Sequence, residues 1–181
     1  MTYFLDMTTI GHTIVGATIG LAAIPRYASR LRSIATLAVF GLLGNFADWP
    51  IKNWGHDRYE ISHSVFSNLA VIAAVLLISA VFRRQVKKVG GYRILLLGCA
   101  AMVSHLLLDT FYSHGTGLGI YWPFSGETVS LALPWFDPIK VVPPPLTRQA
   151  LRVMGIELLF YGTIFILAGS IKYMFLRKVE E

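Results

Sequence analysis

The stretch "SVFSNLAVIAAVLLISAVF" (residues 64–82) runs for nineteen residues without a charged side chain and stops at Arg83 and Arg84. A helix needs about 20 mainly apolar residues to cross the hydrocarbon layer of a bilayer, so this stretch reads as a membrane span. Four further segments qualify with their flanks, giving spans at about 5–24, 33–49, 63–82, 93–112 and 155–172. Composition points the same way. Apolar residues make up 55% of the 181 and charged residues only 14%, against about 25% charged in ordinary soluble domains. Mean hydropathy is +0.59. The expected fold class is all-α: a polytopic membrane protein forming one domain over residues 1–181, with five transmembrane helices and a long outer loop at 113–154.

Segment ends carry their own signals. Pro25 closes the first span, and Pro50 discourages helix beyond the second. Gly16 and Gly20 form a small-xxx-small pair that lets helices approach closely. The connections 25–33, 83–93 and 172–181 hold eleven Lys and Arg, against five in the longer connections of the other face. By the positive-inside rule this places the C-terminus in the cytoplasm and the N-terminus outside. The net charge of +6 is thereby absorbed by topology and anionic lipid, and no nucleic-acid partner is expected. The start "MTYFLDMTTIGH" has no basic region, so no cleaved signal peptide is expected. Cys99, the single cysteine, excludes an internal disulfide and a Cys-rich zinc site, and reads as a small buried residue.

Ionisable groups at membrane depth are costly and therefore usually functional. On this topology all five histidines fall on the outer side, with Asp48, Asp57 and Asp109. His12 and His105 sit about 10 Å below the outer helix ends at 1.5 Å per residue. His105 and Asp109, one turn apart, share a helix face. Asp48 and His63 flank a fourteen-residue connection that can bring them together, and His12 can enter from the first helix. Imidazole with carboxylate suits a divalent cation such as Zn²⁺, Mn²⁺ or Fe²⁺, with Zn²⁺ or Mn²⁺ foremost. The expected metal ligands are His12, Asp48, His63, His105 and Asp109. Asp48 or Asp109 is the candidate base, and Arg58 the candidate stabiliser of negative charge.

Each residue has a plainer alternative. His105 can bond a neighbouring helix; Asp109 can cap backbone or pair with Arg58; His12 can pair with Asp48. Arg58 can belong to Glu60 or Asp57. His56 and His114 can be solvated loop residues, and Asp6, Asp137 and Glu157 ordinary interfacial groups. In the outer loop, Gly115, Gly117 and Gly119 allow tight geometry, and Pro143, Pro144 and Pro145 stiffen the chain. Tyr121, Trp122, Phe124, Trp135 and Phe136 read as an aromatic belt, or as the rim of a lid over a site.

The motifs "GHTIVGATIG", "GNFADWP", "RYEISHS" and "SHLLLDTFYSHG…YWPFS" resemble the bacterial inner-membrane family described as metal-dependent hydrolases, some regulated by or associated with the LexA repressor. The resemblance covers roughly residues 10–126 and is most specific from Ser104 to Ser125. It implies a multi-helix membrane protein with His12, Asp48, His63, His105 and Asp109 as the family's polar positions. Many relatives carry His-Arg-Gly before the "THS"-like motif and Asp-x-Asp after the second helix. Here the chain has "DRYEISHS" and Asp48 alone, departures that leave a second metal and a counterpart for His56 without support.

The reading that joins these features is a membrane-embedded metal hydrolase acting on a lipid or lipid-linked phosphoester, with membrane lipids as partners. A metal or proton transporter is the alternative. A non-catalytic membrane scaffold, whose polar cluster only locks helix packing, is a third reading.

Overall fold

Without water to bond, backbone polar groups in a bilayer must be satisfied within their own segment, which favours helix. The computed structural model places a helix in each of the five expected spans. It describes residues 4–5, 9–88, 90–111, 117–131, 133, 139–140 and 147–178. Asp6, His114, Gly115, Trp135, Phe136, Asp137 and Pro143–Pro145 lie outside the described residues, as does the side chain of His56.

The helices are α1 (Thr9–Leu21), α2 (Arg30–Gly44), α3 (Tyr59–Ser62), α4 (Val65–Val81), α5 (Arg83–Lys88), α6 (Gly91–Asp109) and α7 (Arg148–Lys178). One two-residue antiparallel pair, β1 (Phe4–Leu5) with β2 (Ile139–Lys140), is the described exception to an all-helical fold. Among the described residues, Gly91–Asp109 and Arg148–Phe175 alone are by themselves long and apolar enough to cross a membrane. The thirteen residues of α1 span about 20 Å at the helical rise. Its apolar neighbours in the first expected span continue as turn rather than helix.

α7 begins earlier than its hydropathy suggests. Arg148, Gln149 and Arg152 depress the local average, so the outer loop was expected to reach residue 154. Burial of Ala150, Val153, Glu157 and Tyr161, one helical stripe, holds the chain helical from Arg148. Thr147 Oγ1 accepts the Ala150 N–H at 3.1 Å and caps that end.

α1 is the inner helix, packed against α2, α6 and α7. Its contact with α2 is backbone on backbone. A Cβ on Gly16 would lie 2.3 Å from Phe40 O, and one on Gly44 would lie 2.4 Å from His12 O. Gly16 of the small pair seen in the sequence therefore meets Gly44 on α2, while Gly20 makes room for the Phe40 side chain and Gly41 for Thr13.

Both ends of α1 are held by α7. Glu157, expected to be an ordinary interfacial residue, is fully buried, and its Oε2 accepts the Gly11 N–H at 3.2 Å. Lys172 Nζ donates to Leu21 O at 2.6 Å and Ile24 O at 2.7 Å, and Arg93 adds a bond to Ala22 O at 3.1 Å. The two helices thus run parallel. An acid meets the positive end of the α1 dipole and cations meet the negative end.

Large apolar side chains face outward, among them Leu77 and Val81 on α4 and Leu159 and Ile166 on α7. That surface suits hydrocarbon as solvent. Cys99 is buried, as expected.

The glycine contact yields a direct test. Gly44→Ala forces α1 from α2 and is expected to destabilise the protein by about 1–3 kcal/mol, the usual range for overpacking. Gly126→Ala, with nothing within 4 Å of its Cβ position, is the control expected to leave thermal unfolding in detergent unchanged.

Candidate metal centre

Four elements deliver ionisable side chains to one end of the bundle. α1 brings His12 from its first turn, and α6 brings His105 and Asp109 in its last. Asp48 closes the 3-10 turn Phe46–Asp48 beyond α2, and His63 lies between α3 and α4. His12, His63, His105 and Asp109 are each at most 1% exposed.

The fourteen-residue connection folds back on itself to bring Asp48 and His63 together. Asn53 and Gly55 both adopt positive φ, at 62° and 59°. A Cβ on Gly55 would meet Trp49 O at 2.5 Å, so glycine is needed there for space and conformation alike. Asp57 Oδ2 accepts the Asn53 N–H at 2.8 Å, and Trp54 Nε1 donates to Phe46 O at 2.9 Å.

The histidine rings are oriented from behind. His105 Nδ1 lies 2.9 Å from Gly44 O, and His63 Nδ1 lies 3.1 Å from Tyr59 O and 2.8 Å from Ser62 Oγ. A carbonyl oxygen only accepts, so both Nδ1 atoms carry a proton and both Nε2 atoms turn inward, each offering a lone pair to a cation when its ring is neutral. Those two Nε2 atoms are 3.3 Å apart. Asp109 Oδ2 lies 3.2 Å from His63 Nε2 and 3.3 Å from His105 Nε2. Asp48 completes the group, its two oxygens 3.4 Å from His63 Nε2 and 3.6 Å from His105 Nε2.

The His63, His105 and Asp109 separations match three edges of a coordination tetrahedron, with Asp48 beside them. Bonds of about 2.0–2.2 Å from zinc to imidazole nitrogen and carboxylate oxygen require ligand–ligand edges of about 3.3–3.6 Å. Two inward lone pairs and two carboxylates in a buried space are also the donor set a dication neutralises.

His12 belongs to a second such set, with Asp48 and His105. Its ring stacks on His105 with centroids 3.7 Å apart, and its Nε2 lies 3.0 Å from Asp109 Oδ1. It therefore pairs with Asp109, not with Asp48. Asp109 bridges, one oxygen toward His12 and the other toward His63 and His105. His12 Nδ1 is buried without a hydrogen-bond partner among the described residues. Ligand atoms of His12, Asp48 and His105 lie within 4.8 Å of one another, as do those of His63, His105 and Asp109.

Arg58 is not brought to the centre. Its side chain is 58% exposed, with Nη1 3.7 Å from Glu60 Oε1. Two supporting residues escaped the sequence reading. Ser62 backs His63, and the fully buried Asn68 anchors the turn by donating from Nδ2 to Ser62 O at 2.7 Å. The signal for both was their polar character beside "SHS" at the start of an otherwise apolar run.

The outer connection covers this end of the bundle in part. Leu131 N–H donates to Thr110 O and Leu133 N–H to Phe111 O, while Ile120 O accepts from Val65 N–H. Phe124 remains 78% exposed and Tyr121 40% exposed, as the rim of such a cover would be.

The profile of the family described as YdjM inner membrane protein matches residues 7–177. No curated protein and no solved structure matches the chain.

Charge removal separates centre from periphery. Asp109→Asn keeps the shape but leaves the histidine cluster uncompensated, and is expected to cost about 3 kcal/mol, as broken buried pairs do. Arg58→Gln should stay within about 0.5 kcal/mol of the parent, the range for exposed positions. Thermal unfolding of both variants in the same detergent checks the difference.

Proposed function

This chain belongs to the YdjM inner membrane protein family, and on that premise we propose that it is a membrane-embedded, metal-dependent hydrolase. The observation that carries the proposal is the buried set of three inward-facing donors from His63, His105 and Asp109, spaced at 3.2–3.3 Å, with Asp48 beside them and a position left for water. Zn²⁺ fits these edges best, with Mn²⁺ the next choice. When bound, such an ion supplies Lewis acidity and an acidified water.

The chain's own residues supply the rest. His63 and His105, with Nδ1 fixed on backbone carbonyls, are held in one tautomer and one ring orientation. Asp109, buried and shared among three histidines, sets their relative positions. Asp48 is the only member with appreciable exposure, at 21%. It is therefore the group able to exchange a proton with an arriving molecule, and we assign it the base role. Arg58 enters only as a rim residue that could meet an anionic group on leaving Glu60.

Five helices crossing the membrane, with the shorter α1 and α4 supported by α6 and α7, fit the family's setting. The basic connections then face the cytoplasm and the centre faces outward. Depth and an apolar surround favour a lipid or lipid-linked phosphoester as substrate. Transport is less well supported: α1 and α4 carry no ionisable residue beyond His12, and α6 none between His105 and Arg93, so no relay continues across the bundle.

Metal content of detergent-purified protein tests the reading. One zinc or manganese per chain is expected, lost in His105→Ala and in Asp109→Ala while helical circular dichroism is kept. Ser62→Ala should weaken metal affinity about 10- to 100-fold, the range for groups that orient a ligand. Release of phosphate or alcohol from lipid phosphoesters should require the metal and Asp48. Metal-free protein that cannot be reloaded, or ion flux in liposomes without hydrolysis, would overturn it.

A further inference from the structure

Asp48 has a second neighbourhood. Besides touching His63 and His105, it lines an open cleft of about 330 Å³ with Pro50, Ile51, Lys52, Trp54 and Asp57. That volume lies within the range of about 300–1,000 Å³ typical of small-molecule sites. The walls are mainly apolar: Ile51 is 50% exposed, and the Trp54 ring offers its face while its Nε1 is occupied by Phe46 O. Lys52 and Asp57 are the charged groups of the mouth. Asp57 turns Oδ2 into the loop, where it accepts the Asn53 N–H at 2.8 Å, and Lys52 is the cation of the lining.

We propose that this cleft is the entrance to the centre and admits an anionic amphiphile, its head between Lys52 and Asp48 and its chain on Pro50, Ile51 and Trp54. The proposal rests on the metal-hydrolase reading and adds to it a route, a recognising residue and a ligand class. Lys52 takes the anion-binding part that the sequence assigned to Arg58, which pairs with Glu60 instead. Neighbouring Trp54 and Ile51 select for an attached hydrocarbon, because a free inorganic anion gains nothing from them. A chain lying there would continue toward the bilayer.

The test uses zinc-loaded full-length protein carrying Ile51→Cys, with Leu151→Cys as the control at another exposed position. Cys99 is buried and stays in place. A bulky maleimide on Ile51→Cys is expected to slow zinc loss to a chelator about tenfold, since a cleft of this size encloses about 70–90% of its occupant. The same label on Leu151→Cys should leave the rate unchanged. Dodecyl phosphate at about ten times its dissociation constant should slow labelling of Ile51→Cys about tenfold, by mass action. Inorganic phosphate should not, and Lys52→Glu should abolish the protection without altering zinc content. Zinc loss indifferent to the label, or protection equal with inorganic phosphate, overturns the entrance proposal while the metal reading stands. Protein that never binds zinc overturns both.

Discussion

The approach of α1 to α2 at Gly16 and Gly44 is the contact on which the centre depends. It puts the backbone of His12 against Gly44, and Gly44 O is also the acceptor that fixes the ring of His105. One residue without a side chain thus serves two helices and orients a third. With any larger residue at either position, His12 could not stack on His105 at 3.7 Å. In a bilayer, where burial of apolar surface drives helices together only weakly, such close backbone packing carries much of the specificity.

Around that contact the charges are arranged by depth. The His/Asp cluster occupies the end of the bundle formed by the start of α1 and the close of α6. Arg93 and Lys172 sit at the opposite end, on the final carbonyls of α1 and its following turn. Neither group is stranded in hydrocarbon. The acids face imidazoles, and the cations are spread over backbone oxygens that a helix end leaves unbonded. Among the described residues the ionisable groups of the bundle are thereby gathered and paired at its two ends.

Much of this was legible in the sequence because the side chains of the cluster are rare in their setting. His105 and Asp109 in an apolar helix announce themselves, and a topology drawn from Lys and Arg alone gathered His12, Asp48 and His63 to the same end. Other features were hidden for physical reasons. Arg58 and Lys52 lie in one loop with similar charge, and only the turn through Asn53 and Gly55 decides which of them faces the cleft. The α7 start was obscured because arginines lower average hydropathy while Ala150 and Val153 are buried one helical turn apart. Glu157 looked interfacial, since nothing local tells that the first turn of α1 lies against it. Gly41 and Gly44 were silent until their partner helix was in place.

The two clasps from α7 bear on how the protein is made. Glu157 reaches back 146 residues to Gly11, and Lys172 reaches 151 residues to Leu21. A chain is synthesised from its N-terminus, so of the helices described α1 is made first and α7 last. Until α7 arrives, the open amides and carbonyls of α1 have no charged partner from that side, although α2 and α6 already pack against the helix. The two ends of the helix that contributes His12 are therefore clasped only when the last helix has been made.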